Sequence, residues 1–357
     1  LSVHAPTDPG PWPTAVMIHG GGGAPAAAIL DPWAEAVATE GAVVFVPRWA
    51  SQYLSPDVAE ASAFVADVTA QLACVVRFAC SEAPRFGGDP ADVSLFGHSV
   101  GGNWASIIAL TDPAVSPDCL ADSDSAIPED LVLFEVDLFL HWHPNWDSLL
   151  AQDRSSVWAA HTPWPHLADG PRLPVTILDS NDPSFAIQPR ERIDESMALR
   201  DPSGVLMAAL DQAGALADER LTESEMQHLL ADEFVALGYP VSFIDLPDSD
   251  HRRLSEAALA MLADALNSGS KASSTDVMAR GARPVAGRPS RTGGLAAARR
   301  LHPGQPWRRR LLRTPVLHRC RRRLRGRLRH GRRLPLRRRR LAAYLRRRAR
   351  RRRVGWH

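Results

Sequence analysis

The sequence predicts an α/β protein on a mainly parallel, doubly wound sheet, followed by a basic tail that stands outside that fold. Three observations carry this. Short β-type runs alternate with helical patterns, as in successive βαβ units. Most of those runs are nearly continuous in apolar residues, as expected of strands covered on both faces. Composition also changes abruptly after Asn267. Residues 1–267 hold 39 of the 40 acidic residues and 11 of the 42 basic ones, a balance of −28. Residues 268–357 hold the other 31 basic residues and a single acid, Asp276, giving +30, so the overall +2 averages two unlike segments.

The expected strands are Leu1–Ala5, Thr14–His19, Ala42–Arg48, Val93–Gly97, Leu131–Asp137, Pro174–Asp179 and Val241–Leu246. The clearest helix follows Ser55-Pro56, a capping residue with proline at the first helical position. Its apolar residues Val58, Ala61, Val65, Val68, Leu72, Val75 and Ala79 recur every three or four positions, so one face packs on the sheet. Gly87-Gly88-Asp89-Pro90 stops the helical pattern and turns the chain into the next strand. Further helices are expected at Asn103–Leu110, within Arg190–Leu237 and at Ser255–Asn267. The irregular stretch from Leu131 to Gly170 carries Trp142, Trp146, Trp158 and Trp164, read as packing residues or as part of a cap over a site.

Residues 268–357 open on Ser268-Gly269-Ser270, a linker composition, and continue as an Arg-rich low-complexity tail. Such a segment cannot bury enough apolar surface to offset its ordering entropy and self-repulsion, so disorder is expected. Two origins stay open: a basic arm for acidic partners, or an out-of-frame extension, since GCC alanine codons read two bases along become CGC arginine codons. The chain begins at Leu1, and one or more N-terminal strands are expected to be missing. The negative charge of residues 1–267 argues against nucleic acid as a partner of that part. The apolar runs fall short of the roughly 20 residues a transmembrane helix needs. Cys74, Cys80, Cys119 and Cys320 lack metal-ligand spacing. Cys74 and Cys80 read as small buried residues, with a disulfide from either to Cys119 left open. The cytoplasm is the expected compartment, with secretion as the alternative; oligomeric state is not legible.

Two glycine motifs carry the chemistry. Gly97-His98-Ser99-Val100-Gly101 fits G-x-S-x-G, and it lies between a β run and a helical pattern, the setting that gives the motif meaning. A sharp turn there projects the Ser99 hydroxyl as a nucleophile. His19-Gly20-Gly21-Gly22-Gly23 follows the run Thr14–Ile18. Consecutive glycines let backbone N–H groups approach a substrate and stabilise negative charge developing on a carbonyl oxygen. The loop lacks the lysine and the spacing of phosphate-binding glycine motifs. After the last strand, Asp248-Ser249-Asp250-His251 presents a histidine suited to act as general base.

Residues 1–267 resemble α/β-hydrolases of the esterase/lipase kind that carry an H-G-G-G loop and a G-H-S-V-G nucleophile elbow. The stretch Phe86–Ser99 is especially similar to their approach to the elbow. The resemblance implies the chain order serine, acid, histidine. It places the acid on the loop after the strand Pro174–Asp179, best at Asp182 with Asp179 as runner-up. It further implies an oxyanion hole from the N–H groups of Gly21, Gly22 and Val100, and a carboxylic ester substrate of small or medium acyl chain. No metal or cofactor is implied. Amide hydrolysis on the same triad is the alternative, and a non-catalytic binding protein on the same fold is the more distant one. The 69 residues from Asp182 to His251 are more than the family usually has there.

Overall fold

The computed structural model describes residues 1–21, 24–49, 55–116, 118–121, 125–136, 145–180, 188–189 and 220–267. The Arg-rich tail and most of Arg190–Leu237 lie outside the described residues. Seven strands form one sheet in the order β1-β3-β2-β4-β5-β6-β9. They are β1 (Ser2–His4), β2 (Trp12–Ile18), β3 (Val43–Val46), β4 (Gly88–His98), β5 (Asp130–Phe134), β6 (Val175–Asp179) and β9 (Val241–Asp245). Only β1 is antiparallel to its neighbour; the other five pairings are parallel. A separate antiparallel pair joins β7 (Gln188–Pro189) to β8 (Arg220–Leu221).

Every run expected to be a strand is one. Each residue of Val43-Val44-Phe45-Val46 and of Asp130-Leu131-Val132-Leu133-Phe134 is buried, which is why these runs are apolar throughout rather than alternating. One boundary differs in an informative way. The run expected to extend to Asp137 ends at Phe134, because Glu135 adopts a left-handed φ of 46° that no strand can accommodate.

The helices are α1 (Ala24–Thr39), α2 (Val58–Glu82), α3 (Val100–Thr111), α4 (Trp146–His161), α5 (Glu223–Ala236) and α6 (Glu256–Asn267). α2 starts two residues later than expected. Asp57 is its N-cap, accepting from the Glu60 N–H, and Ser55 accepts from the Asp57 N–H. Its stripe is close to the one expected: Ala61, Val65, Val68, Leu72 and Ala79 are buried, with Val76 taking the place of Val75. Each fully buried Val or Leu there contributes about 1.5–3 kcal/mol. Among the described residues this is the one helical stretch long and apolar enough to cross a bilayer by length and composition. In this fold its apolar face is spent on the sheet. α5 opens with a reciprocal cap between Thr222 and Glu225.

The order of strands positions the site. From β2 the chain moves to β3 on one side, then crosses back past β2 to β4 on the other. Right-handed crossovers in opposite directions put α1 and α2 on opposite faces. The crevice at this switch point lies beyond the carboxyl ends of β2 and β4, where open α/β sheets bind ligands. On the α1 face, Leu30, Trp33 and Val37 of α1 and Leu262 and Leu266 of α6 pack with Met17, Val44, Phe96 and Phe134 in one buried cluster.

Of the cysteine readings left open, Cys74 of α2 forms a disulfide with Cys119, and Cys80 is buried. Arg77 reinforces the link by reaching Asp112 at 3.4 Å and the Pro113 carbonyl at 3.3 Å. Trp164 is buried, in keeping with a packing role. Trp142 lies outside the described residues.

Candidate active site

β4 ends at His98 and α3 begins at Val100, so Ser99 alone makes the turn between them. Its φ of 54° and ψ of −130° lie in a region that L residues avoid. Two bonds hold it there. The Ser99 N–H donates to the Phe134 carbonyl at 2.9 Å, and the Ser99 carbonyl accepts from the Gly102 N–H at 2.8 Å. The helix then starts so close to β2 that a Cβ at Gly101 would sit 2.4 Å from the carbonyl oxygens of Ile18 and His19. Glycine at that position is a condition of the turn.

The loop after β2 lies against the same serine. A Cβ on Gly20 would come within 2.9 Å of Ser99 Cβ and 3.4 Å of Ser99 Oγ, so only glycine lets this backbone pass beside the hydroxyl. His19 Nδ1 donates to the Gly20 carbonyl at 2.7 Å and fixes the loop's departure. The Trp49 indole N–H donates to the His19 carbonyl at 3.2 Å, and its ring stacks on the imidazole with centroids 5.1 Å apart. Burial is the main cause of the lowered His19 pKa, so it stays neutral and structural. Gly21 is half-buried, and Gly22 lies outside the described residues. Val100 is the first residue of α3, and its N–H is one of those a helix start leaves without an intrahelical acceptor.

His251 is nearly enclosed and held from three directions. Its Nδ1–H donates to Glu135 Oε2 at 2.6 Å. With a carboxylate on Nδ1, the lone pair of the neutral ring resides on Nε2. Its carbonyl accepts from His98 Nε2 at 2.8 Å, and the two imidazoles lie 4.6 Å apart. Its loop is closed by Asp250, whose Oδ1 accepts from the N–H groups of Arg252 and Arg253 at 2.8 and 2.9 Å. Burial, followed by the neighbouring His251, pushes the His98 pKa well below the usual imidazole range. His98 is therefore a neutral donor that anchors the His251 backbone.

Glu135 was not among the expected site residues. It follows β5, is 1% exposed, and has both carboxylate oxygens engaged. Oε2 takes the His251 proton donor, while Oε1 accepts from the Ser180 N–H at 3.2 Å and from the Ser180 hydroxyl. Asp182 lies outside the described residues. Asp179, the runner-up, is buried with its Oδ2 accepting from the Ser224 hydroxyl of α5. The available signal for Glu135 was an acid at the carboxyl end of the strand beside the nucleophile strand. The Ser99–Phe134 bond puts Ser99 within one residue of Glu135 along that ladder.

No family model matches the chain, and no curated protein does. Solved structures do resemble it. A thermophilic esterase of the planctomycete Thermogutta terrifontis in its native form aligns at 17% identity over 74% of this chain and 85% of that chain, with a TM-score of 0.50. The same esterase phosphonylated by sarin aligns at 17% identity over 74% and 86%, TM-score 0.49. Its butyrate-bound form gives 17%, 74% and 85%, TM-score 0.48. At this identity the likeness of the native form is one of fold, and the chain has an α/β-hydrolase fold.

Proposed function

We propose that this chain is a serine hydrolase of carboxylic esters with small or medium acyl chains. The observation that carries the reading is the buried Glu135–His251 pair, 2.6 Å apart, with Glu135 following directly on Phe134, whose carbonyl accepts from the N–H of a serine in a strained strand-to-helix turn. His251, oriented by Glu135, takes the Ser99 proton through Nε2 as Ser99 Oγ attacks the ester carbonyl. The carboxylate of Glu135 stabilises the imidazolium that forms and is not itself protonated. In this reading Glu135 fills the role expected of Asp182. The N–H groups of Gly21, Gly22 and Val100 bind the developing oxyanion. His251 returns the proton to the departing alcohol, and water then deacylates Ser99 by the same steps in reverse.

That the fold neighbour is an esterase supports the ester over the amide alternative, and the same experiment separates them. The chain is treated with a fluorophosphonate probe, the adduct is mapped, and rates are compared on p-nitrophenyl butyrate and the matching anilide. Labelling at Ser99, with ester hydrolysis abolished by Ser99→Ala, is expected. Failure of Ser99 to label, or a folded Ser99→Ala variant within tenfold of the parent, refutes the assignment. The Cys74–Cys119 disulfide supports the secreted alternative over the cytoplasm, since such bonds persist in oxidising compartments. Thiol labelling of the protein as it occurs in the cell checks this.

A further inference from the structure

We infer that Gln227 of α5 is a positioning residue for the triad, holding Glu135 in place through the main chain of Val136. The inference rests on the triad proposed above. Glu135 keeps a left-handed φ of 46°, which strains a non-glycine residue and persists only where the surroundings over-determine it. On its amino side, the Phe134 carbonyl is tied to the Ser99 N–H. On its carboxyl side, one side chain takes both polar groups of Val136. Gln227 Oε1 accepts from the Val136 N–H at 3.3 Å, and Gln227 Nε2 donates to the Val136 carbonyl at 3.1 Å.

A primary amide suits this task because it offers a donor and an acceptor in one plane, as a neighbouring strand would. Glutamate keeps the acceptor and loses the donor; methionine keeps the length and loses both. Gln227 and Val136 are each 0% exposed, so neither the side chain nor the peptide groups it satisfies have water as a substitute. The clamp is anchored at both ends. Met226, Leu230 and Phe234 bury α5 beside Gln227, and Ser224 ties its first turn to Asp179 on β6. The Val136 side chain fills the space over Gly102 of α3, where an added Cβ would stand 2.5 Å from Val136 Cγ2. Displacement of Val136 therefore shifts the Glu135 carboxylate away from His251 Nδ1. Gln227 itself touches no reacting atom. The helix that carries it comes from the long stretch of chain between β6 and β9, which thereby has a task at the site.

The test compares Gln227→Met with the parent and with Glu135→Gln in the full chain, using p-nitrophenyl butyrate and the low-field proton resonance of the Glu135–His251 hydrogen bond. The expected result for Gln227→Met is a fall in kcat of about 10- to 100-fold with KM within about twofold, and loss or upfield movement of that resonance. Parent-like kcat with an unchanged resonance overturns the inference, and so does a lowered kcat with the resonance in place. If Glu135→Gln keeps parental activity, the triad reading fails instead, and the two failures are distinct. Gln227→Glu is the second variant should methionine not be tolerated, with the same two readouts. If neither variant folds, Gln227 serves the core alone and the positioning role is rejected.

Discussion

Asp130, at the start of β5 and five residues before Glu135, should make the fold lose stability as pH rises. It is 5% exposed, and burial is the first cause that raises its pKa from 3.8 to about 7, with Asp92 and Glu129 adding to the rise. The Ser94 hydroxyl donates to Asp130 Oδ2 at 3.0 Å yet also points at the Leu266 carbonyl at 3.3 Å, and it has one proton for two acceptors. Oδ1 has no hydrogen-bond partner among the described residues. A protonated Asp130 resolves the shortage by donating to Ser94, which then serves Leu266. The folded state therefore holds a proton that the unfolded state releases between pH 3.8 and about 7. Over that interval stability falls by about 1.4 kcal/mol per pH unit, a total of about 4 kcal/mol. The contribution is intact below pH 3.8 and gone above about pH 7. Asp130→Asn mimics the protonated form. Between pH 5 and pH 8 the parent should lose about 3 kcal/mol that the variant keeps, seen as a Tm gap opening by roughly 6–12 °C. Thermal unfolding of both proteins at the two pH values checks this. A Tm difference that is the same at pH 5 and pH 8 would refute the reasoning.

Two further expectations concern the acid of the triad and the disulfide. Glu135→Gln should lower kcat by about 10³–10⁴-fold with the fold intact, while Asp182→Asn stays within about threefold, measured on p-nitrophenyl butyrate. The reverse ranking would return the role to Asp182. Replacing Cys74 and Cys119 by alanine releases a loop whose ends are 45 residues apart, and should cost about 4 kcal/mol by denaturant unfolding with activity retained in the folded protein. A loss under about 1 kcal/mol would mean that the segment around Cys119 is fixed without the bond.

The strands were legible because burial on both faces demands short, β-branched apolar runs such as Val43–Val46. Ser99 and the glycine loop were legible because a Cβ added at Gly101 or Gly20 would stand 2.4–2.9 Å from its neighbours, so only glycine fits, which leaves a mark in the sequence. Glu135 was hidden for the opposite reason. A glutamate with positive φ announces no turn, and Leu131–Asp137 reads on as one apolar run with an acid inside it. What bends the chain at Glu135 is tertiary: Ser99, Gln227 and Ser180 lie 36, 92 and 45 residues away in sequence. The resemblance pointed to the loop after β6, and that loop does supply a partner. Its contribution among the described residues is the hydroxyl and amide of Ser180, which bind the carboxylate. Residue spacing also could not choose between Cys74 and Cys80, which sit on one helix six positions apart.

The dihedrals of Ser99 have a consequence for how the chain trades folding against activity. Glycine would occupy φ 54°, ψ −130° without strain, and even after its larger unfolded-state entropy the exchange should favour the folded state by on the order of 1 kcal/mol. The proposed nucleophile is thus a standing thermodynamic liability, held by the Ser99–Phe134 bond at the end of the β4–β5 ladder. Selection for stability alone would erode it. A serine retained at such a position is hard to account for by folding, and that is an argument for chemistry independent of any resemblance.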